Sequence, residues 1–148
     1  MSAPSRLRIS RELAGQISRH AAEDYPRECC GALLGREAAD ESGAAASREV
    51  LRVLPLANRS EDSPRHRFLL AAEDVREVER LAREAQCELL GWYHSHPDSP
   101  ARPSEFDREH AWPWYSYVIV GVAKGAPGEM TSWRLADDRS AFLPEIIE

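Results

Sequence analysis

Hydrophobic positions along this chain switch between a period near 3.6 and runs typical of strands, and the switches mark the elements. Ser10 is placed as the N-cap of a helix that carries Leu13, Ile17 and Ala21 on one face and ends near Pro26. Residues 29–35, Cys-Cys-Gly-Ala-Leu-Leu-Gly, form a short apolar run, the length of a buried strand. Small and polar residues over 38–47 predict an exposed hairpin loop, with a returning strand over 49–56. Residues 58–64 are rich in turn formers, and 66–70 fit one more short strand. The clearest helix covers 72–86, with Val75, Val78, Leu81 and Ala85 as its apolar face and Arg80/Glu84 as an exposed i,i+4 pair. A buried strand follows over 88–95, where Pro97 is expected to stop the ladder and free the strand end. A Pro-rich loop then leads to a short helix from Ser104. Strands over 115–122, 129–135 and 141–147 close the chain.

This mixed order predicts an α/β fold, a sandwich around a mixed, strongly curved sheet. Length adds that residues 1–148 are most simply one domain with a core of its own. Apolar residues at 43% and charged residues at 30% describe a globular chain rather than a disordered one. A net charge of −6 with no basic stripe argues against nucleic acid as the main partner. No run approaches the ~18 apolar residues of a membrane span, and no signal peptide is evident. Three cysteines, two of them adjacent, make no disulfide framework, so a cytoplasmic location with reduced thiols is expected.

Chemistry concentrates in His94-Ser95-His96-Pro97 at the end of the 88–95 strand. Strand side chains alternate, so the two imidazoles share a face, about 7 Å apart at Cα, as suits two ligands of one metal ion. Asp107 can swing in as a third, anionic ligand. Three N/O ligands with an open fourth position describe a catalytic zinc site. The pair alone has an equally good reading as two surface histidines. Ser104 with Asp107 is also close to a helix capping box, and both readings can hold, since a cap fixes the helix start and that start aims Asp107 back at the strand end. Other candidates are weaker. Cys29 and Cys30 lack thiolate-ligand spacing and fit core packing, and Cys87 is taken as structural. His20, His66 and His110 are expected at the surface. The four tryptophans are assigned to core or rim packing rather than to a substrate platform. No G-x-S-x-G, P-loop or G-x-G-x-x-G is present.

His94-x-His96-Pro97, six residues, Ser104, two residues, Asp107 resembles the signature of the JAMM metallopeptidases, or MPN-plus domains. Upstream, Tyr25-Pro-Arg-Glu28-Cys-Cys-Gly-Ala-Leu-Leu-Gly35 resembles the segment in which that family carries its glutamate. The resemblance implies the single-domain MPN sandwich, which is cytidine deaminase-like. It implies His94, His96 and Asp107 as ligands of one Zn²⁺ with water completing the set. Glu28 would be general base and then acid, and Ser104 an oxyanion donor. The implied substrate is an amide or isopeptide bond at the C-terminal tail of a ubiquitin-like sulfur-carrier protein, with release of an amino acid or an attached peptide. Two other readings stand beside it: a non-catalytic MPN-type interaction module, and a cell-wall or phage-type peptidase.

Overall fold

Ser10 does cap the first helix, its hydroxyl accepting the Leu13 N–H at 3.1 Å. The computed structural model describes residues 5–39, 46–58 and 72–148. Its elements are β1 (Arg6–Arg8), α1 (Arg11–Asp24), β2 (Cys30–Ala39), β3 (Ala46–Leu56) and α2 (Ala72–Glu84). They continue with β4 (Glu88–Pro97), α3 (Glu105–His110), β5 (Ser116–Ala123), β6 (Ala126–Leu135) and β7 (Phe142–Ile147). α2 stops at Glu84 because Gln86 turns to a φ of 57° and the Cys87 N–H reaches back to Ala82 O at 2.8 Å. The strand expected over 66–70 and the middle of the loop expected over 38–47 lie outside the described residues.

The curved sheet goes further than the pattern predicts and closes on itself in the order β1-β3-β2-β4-β5-β6-β7. Closure falls to β1, which pairs in parallel with both β3 and β7. Arg-Leu-Arg is too short for periodicity to reveal, yet its one apolar residue, Leu7, is fully buried. The ends of the expected 38–47 loop are also strand, since Ala39 pairs with Ala46.

Two apolar cores lie on the two faces of the sheet. α1 covers Leu33, Leu90, Tyr93, Val118 and Val120 with Ile17 and Ala21. On the other face α2 inserts Val78 and Ala82 against Ala32, Leu34, Leu89, Trp92 and Tyr117. The helix face is thus Val75, Val78 and Ala82, with Leu81 and Ala85 only half-buried. Leu90 and Trp92 would share a face in a regular strand, but they belong to opposite cores. A register shift explains this: Leu34 pairs with Leu89 and Leu33 with Gly91, so Leu90 is an extra residue on β4. The bulge turns the strand over. Downstream of it, Trp92, His94 and His96 follow one another on the α2 side.

Pro97 does not stop the ladder as expected. Pairing with β2 ends at His94, but pairing with β5 continues to Pro97 opposite Val122. The next N–H, of Asp98, still donates to Val122 O at 2.6 Å, so only the one donor that proline lacks is lost.

Candidate metal and catalytic centre

His94 and His96 emerge from the buried end of β4 with their Nε2 atoms 3.1 Å apart. Asp107 arrives from α3, where it forms a true capping box: its N–H donates to Ser104 Oγ, and its Oδ2 accepts the Ser104 N–H at 2.8 Å. The same Oδ2 stands 3.3 Å from His94 Nε2 and 3.2 Å from His96 Nε2. The helix cap therefore aims the carboxylate at the histidine pair.

Two ring nitrogens and a carboxylate oxygen converge in this triangle. His96 Nδ1 lies 2.8 Å from Pro100 O, a pure acceptor, so Nδ1 must carry the hydrogen and neutral His96 leaves Nε2 bare. Tetrahedral ligand atoms about 2.0–2.1 Å from zinc are about 3.3–3.4 Å from each other. The observed edges of 3.1, 3.2 and 3.3 Å come within about 0.3 Å of that spacing. The donor set fits a divalent ion.

Glu28 completes the cluster from the turn before β2. One of its carboxylate oxygens lies within 4.8 Å of ligand atoms on both histidines. The residue is 1% exposed, and neither oxygen has a hydrogen-bond partner among the described residues. Burial, reinforced by the nearby Asp107 charge, pushes this carboxyl up to about 9. Burial acts on Asp107 in the same upward sense. There the two histidines and the Ser104 N–H outweigh it and hold the group below the usual carboxylate range. Burial lowers His94, against the attraction of Asp107. A buried carboxyl with no partner is costly, which makes it a marker of function rather than of stability.

This arrangement accords with a known family. The family model for prokaryotic homologs of the JAB domain matches residues 10–136. The chain belongs to the prokaryotic JAB family. This JAB protein is similar to a desampylase from Haloferax volcanii, with 32% identity over 149 residues, 97% of this chain and 98% of the relative. It is also similar to a probable TtuB-protein conjugate cleaving protease from Thermus thermophilus. That match is 32% identical and covers 78% of this chain and 70% of the relative. A Desulfitobacterium hafniense protein solved in solution superposes with a TM-score of 0.79 at 30% identity, covering 97% of this chain and 91% of the other.

Several residues that shape the JAB site escaped the sequence reading. Ser95, between the histidines, faces away from them; its Oγ accepts the Cys29 N–H at 2.8 Å. Asn58 donates to Glu28 O at 3.1 Å. The loop after Pro97 is pinned by Tyr25 Oη donating to Asp98 Oδ2 at 2.6 Å and by Thr131 donating to Ala101 O at 2.6 Å. A serine inside a buried run was the one visible signal, because a buried hydroxyl needs a partner.

Cavities open on both sides of the cluster. One, of 650 Å³, is walled by Phe106, Trp112, Trp114 and Tyr115 and reaches His94 and Asp107. The other, of 310 Å³, holds Glu28, His96 and Ser104. Trp92 packs in the core as expected. Trp112 and Trp114, at 66% and 42% exposed, instead wall the larger cavity, and Trp114 lies against the buried Arg48 guanidinium. His20 is not a free surface residue either, since its Nδ1 lies 2.6 Å from the buried Tyr93 hydroxyl. Cys29 and Cys30 are fully buried, and His66 falls outside the described residues. Among the described residues, no helix is long and apolar enough to cross a membrane.

Proposed function

We propose that this chain is a zinc metallopeptidase that hydrolyses the amide or isopeptide bond at the C-terminal tail of a ubiquitin-like sulfur-carrier protein. One observation carries the reading: a buried carboxyl without a hydrogen-bond partner among the described residues, Glu28, stands beside a His-His-Asp triangle of metal-ligand dimensions. Relatives named as a desampylase and a conjugate-cleaving protease support the substrate class. Residues 1–148 act as a single domain in this reading. The free cysteines fit a cytoplasmic enzyme.

His94, His96 and Asp107 would hold the ion. Zinc bound there supplies a dipositive charge that polarises a carbonyl, lowers the pKa of water toward ~7 and favours ionised Glu28. Glu28 takes a proton from water as its oxygen bonds to the carbonyl carbon of the terminal glycine. It then gives that proton to the leaving nitrogen as the C–N bond breaks. The products are the carrier's free C-terminal acid and an amine. Ser104 uses a lone pair in the helix cap, so its own hydrogen remains to donate to the developing oxyanion. The aromatic cavity offers the extended tail a wall of large, apolar contacts beside His94 and Asp107.

The direct test is to incubate zinc-loaded protein with a carrier bearing a C-terminal amino acid and follow product mass. Cleavage that stops with a chelator and with Glu28→Gln is expected. Cleavage that survives both sinks the mechanism.

A further inference from the structure

We propose that Arg102 selects the leaving group, binding the free α-carboxylate of a single amino acid released from the carrier tail. This rests on the amide-hydrolysis reading above, with an amino acid as the amine product, and adds the residue that recognises it.

The side of the site follows from proton transfer. Glu28 hands its proton to the leaving nitrogen, so that nitrogen lies toward Glu28 and toward the 310 Å³ cavity, away from the aromatic one. That volume is at the small end of ligand sites, which run from ~300 to ~1,000 Å³. Arg102 lines this cavity together with Glu28, His96 and Ser104, and it is the only arginine or lysine lining either cavity among the described residues.

Its guanidinium is uncommitted: no hydrogen bond or ion pair engages it among the described residues. By contrast, Arg80 pairs with Glu77 and Glu84, and Arg108 pairs with Glu105. The Arg102 backbone, however, is held. Its N–H donates to Pro100 O at 2.8 Å, Pro100 O also meets His96, and the neighbouring Ala101 is buried with its carbonyl bonded to Thr131. A held backbone carrying an exposed, unpaired planar fork that lines the cavity suits bidentate carboxylate recognition. Glu28 is the one acidic side chain lining this cavity, and Arg102 is the one cationic side chain there that would offset an anionic leaving group, among the described residues. A lysine side chain leaving from an isopeptide bond places no carboxylate there.

The test uses a Gly-Gly-ending ubiquitin-like carrier extended by one alanine, prepared as the free acid and as the alaninamide. Zinc-loaded wild type should cleave the acid with kcat/KM about 10- to 100-fold above the amide, the range of a charge-assisted contact. Arg102→Ala should erase that preference by slowing the acid alone, and Arg102→Lys should restore part of it. Equal rates on the two conjugates in wild type, or an equal fall on both in Arg102→Ala, overturn the assignment. Binding gives a readout without turnover. Glu28→Gln protein should hold the acid more tightly than the amide, and adding Arg102→Ala should remove the difference; equal affinities overturn the proposal. Wild type that cleaves neither conjugate, while Glu28→Gln still prefers the acid, refutes the hydrolase reading and leaves the carboxylate site standing.

Discussion

Cys30 and His94 are register partners across the antiparallel β2–β4 pair. The Ser95 N–H donates to Cys29 O at 3.2 Å, which extends the register one residue beyond the ladder and brings Glu28 opposite His96. Residues 68 positions apart in the chain thus meet because two strands run out together. The arrangement couples the carboxyl to the histidine-bearing strand through backbone contacts, and those contacts make the site testable.

The ligand assignment is checked by metal content. Wild type should carry about one zinc per chain by mass spectrometry of purified protein, and Glu28→Gln should keep it. His96→Ala and Asp107→Ala remove a triangle vertex, so their affinity should fall by more than the ~10–100-fold typical of losing an outer partner. Unchanged zinc in either variant removes that residue from the ligand set.

Glu28 makes metal-free stability depend on pH. Folded, its carboxyl keeps a proton up to about 9, whereas the unfolded chain releases it near ~4.3. Between those values the folded state binds more protons, so stability falls as pH rises. From pH 4.5 to 7 the loss is on the order of 3 kcal/mol, at about 1.36 kcal/mol per pH unit. Urea denaturation of chelated protein should show Glu28→Gln gaining that amount over wild type between the two pH values. The amide's own burial cost is the same at both, so a pH-independent difference refutes the shift.

Ser95→Ala separates positioning from binding. It strips the buried Cys29 N–H of its side-chain acceptor at 2.8 Å, at a cost of about 1–3 kcal/mol. Zinc content should hold while kcat falls, because Cys29 anchors the residue next to Glu28. A variant that loses zinc along with activity contradicts the division of labour.

Gly91→Ala attacks the bulge that orients the histidines. A Cβ there would stand 1.9 Å from Ser116 O, a backbone atom with no freedom to move aside. Overpacking of this kind costs about 3 kcal/mol or more, equivalent to a Tm lower by roughly 6–12 °C in a domain of this size. A thermal scan at neutral pH measures it, and an unchanged Tm contradicts the close β4–β5 approach.

The convergence of His94, His96 and Asp107 was legible because chemistry restricts the motif: two imidazoles on alternating positions and a carboxylate at a helix start admit few other residue types. Most helices and strands were legible from periodicity for a similar reason. What lay hidden depended on distant partners. Leu7 looks unremarkable between two arginines until β3 and β7 flank it. Arg48 resembles any exposed strand arginine, yet it is fully buried, bonded to Leu90 O and Ser116 Oγ beneath Trp114. The face taken by His94 depends on the extra residue at Leu90, and alternation alone does not disclose that. Glu28 stood out only through its motif, since nothing local shows that strand pairing will bury it.

The capping box at Ser104 and Asp107 has a bearing on how the centre is assembled. The Asp107 carboxylate is held by the Ser104 N–H while its own N–H donates to Ser104 Oγ, and His96 is held by the Pro100 carbonyl. Neither depends on an ion for its pose, unlike small zinc domains that unfold when stripped. In the proposed centre a metal ion would then be a replaceable part fitted to a finished socket. A chelated sample should stay folded and regain its activity on simple readdition, without passing through refolding.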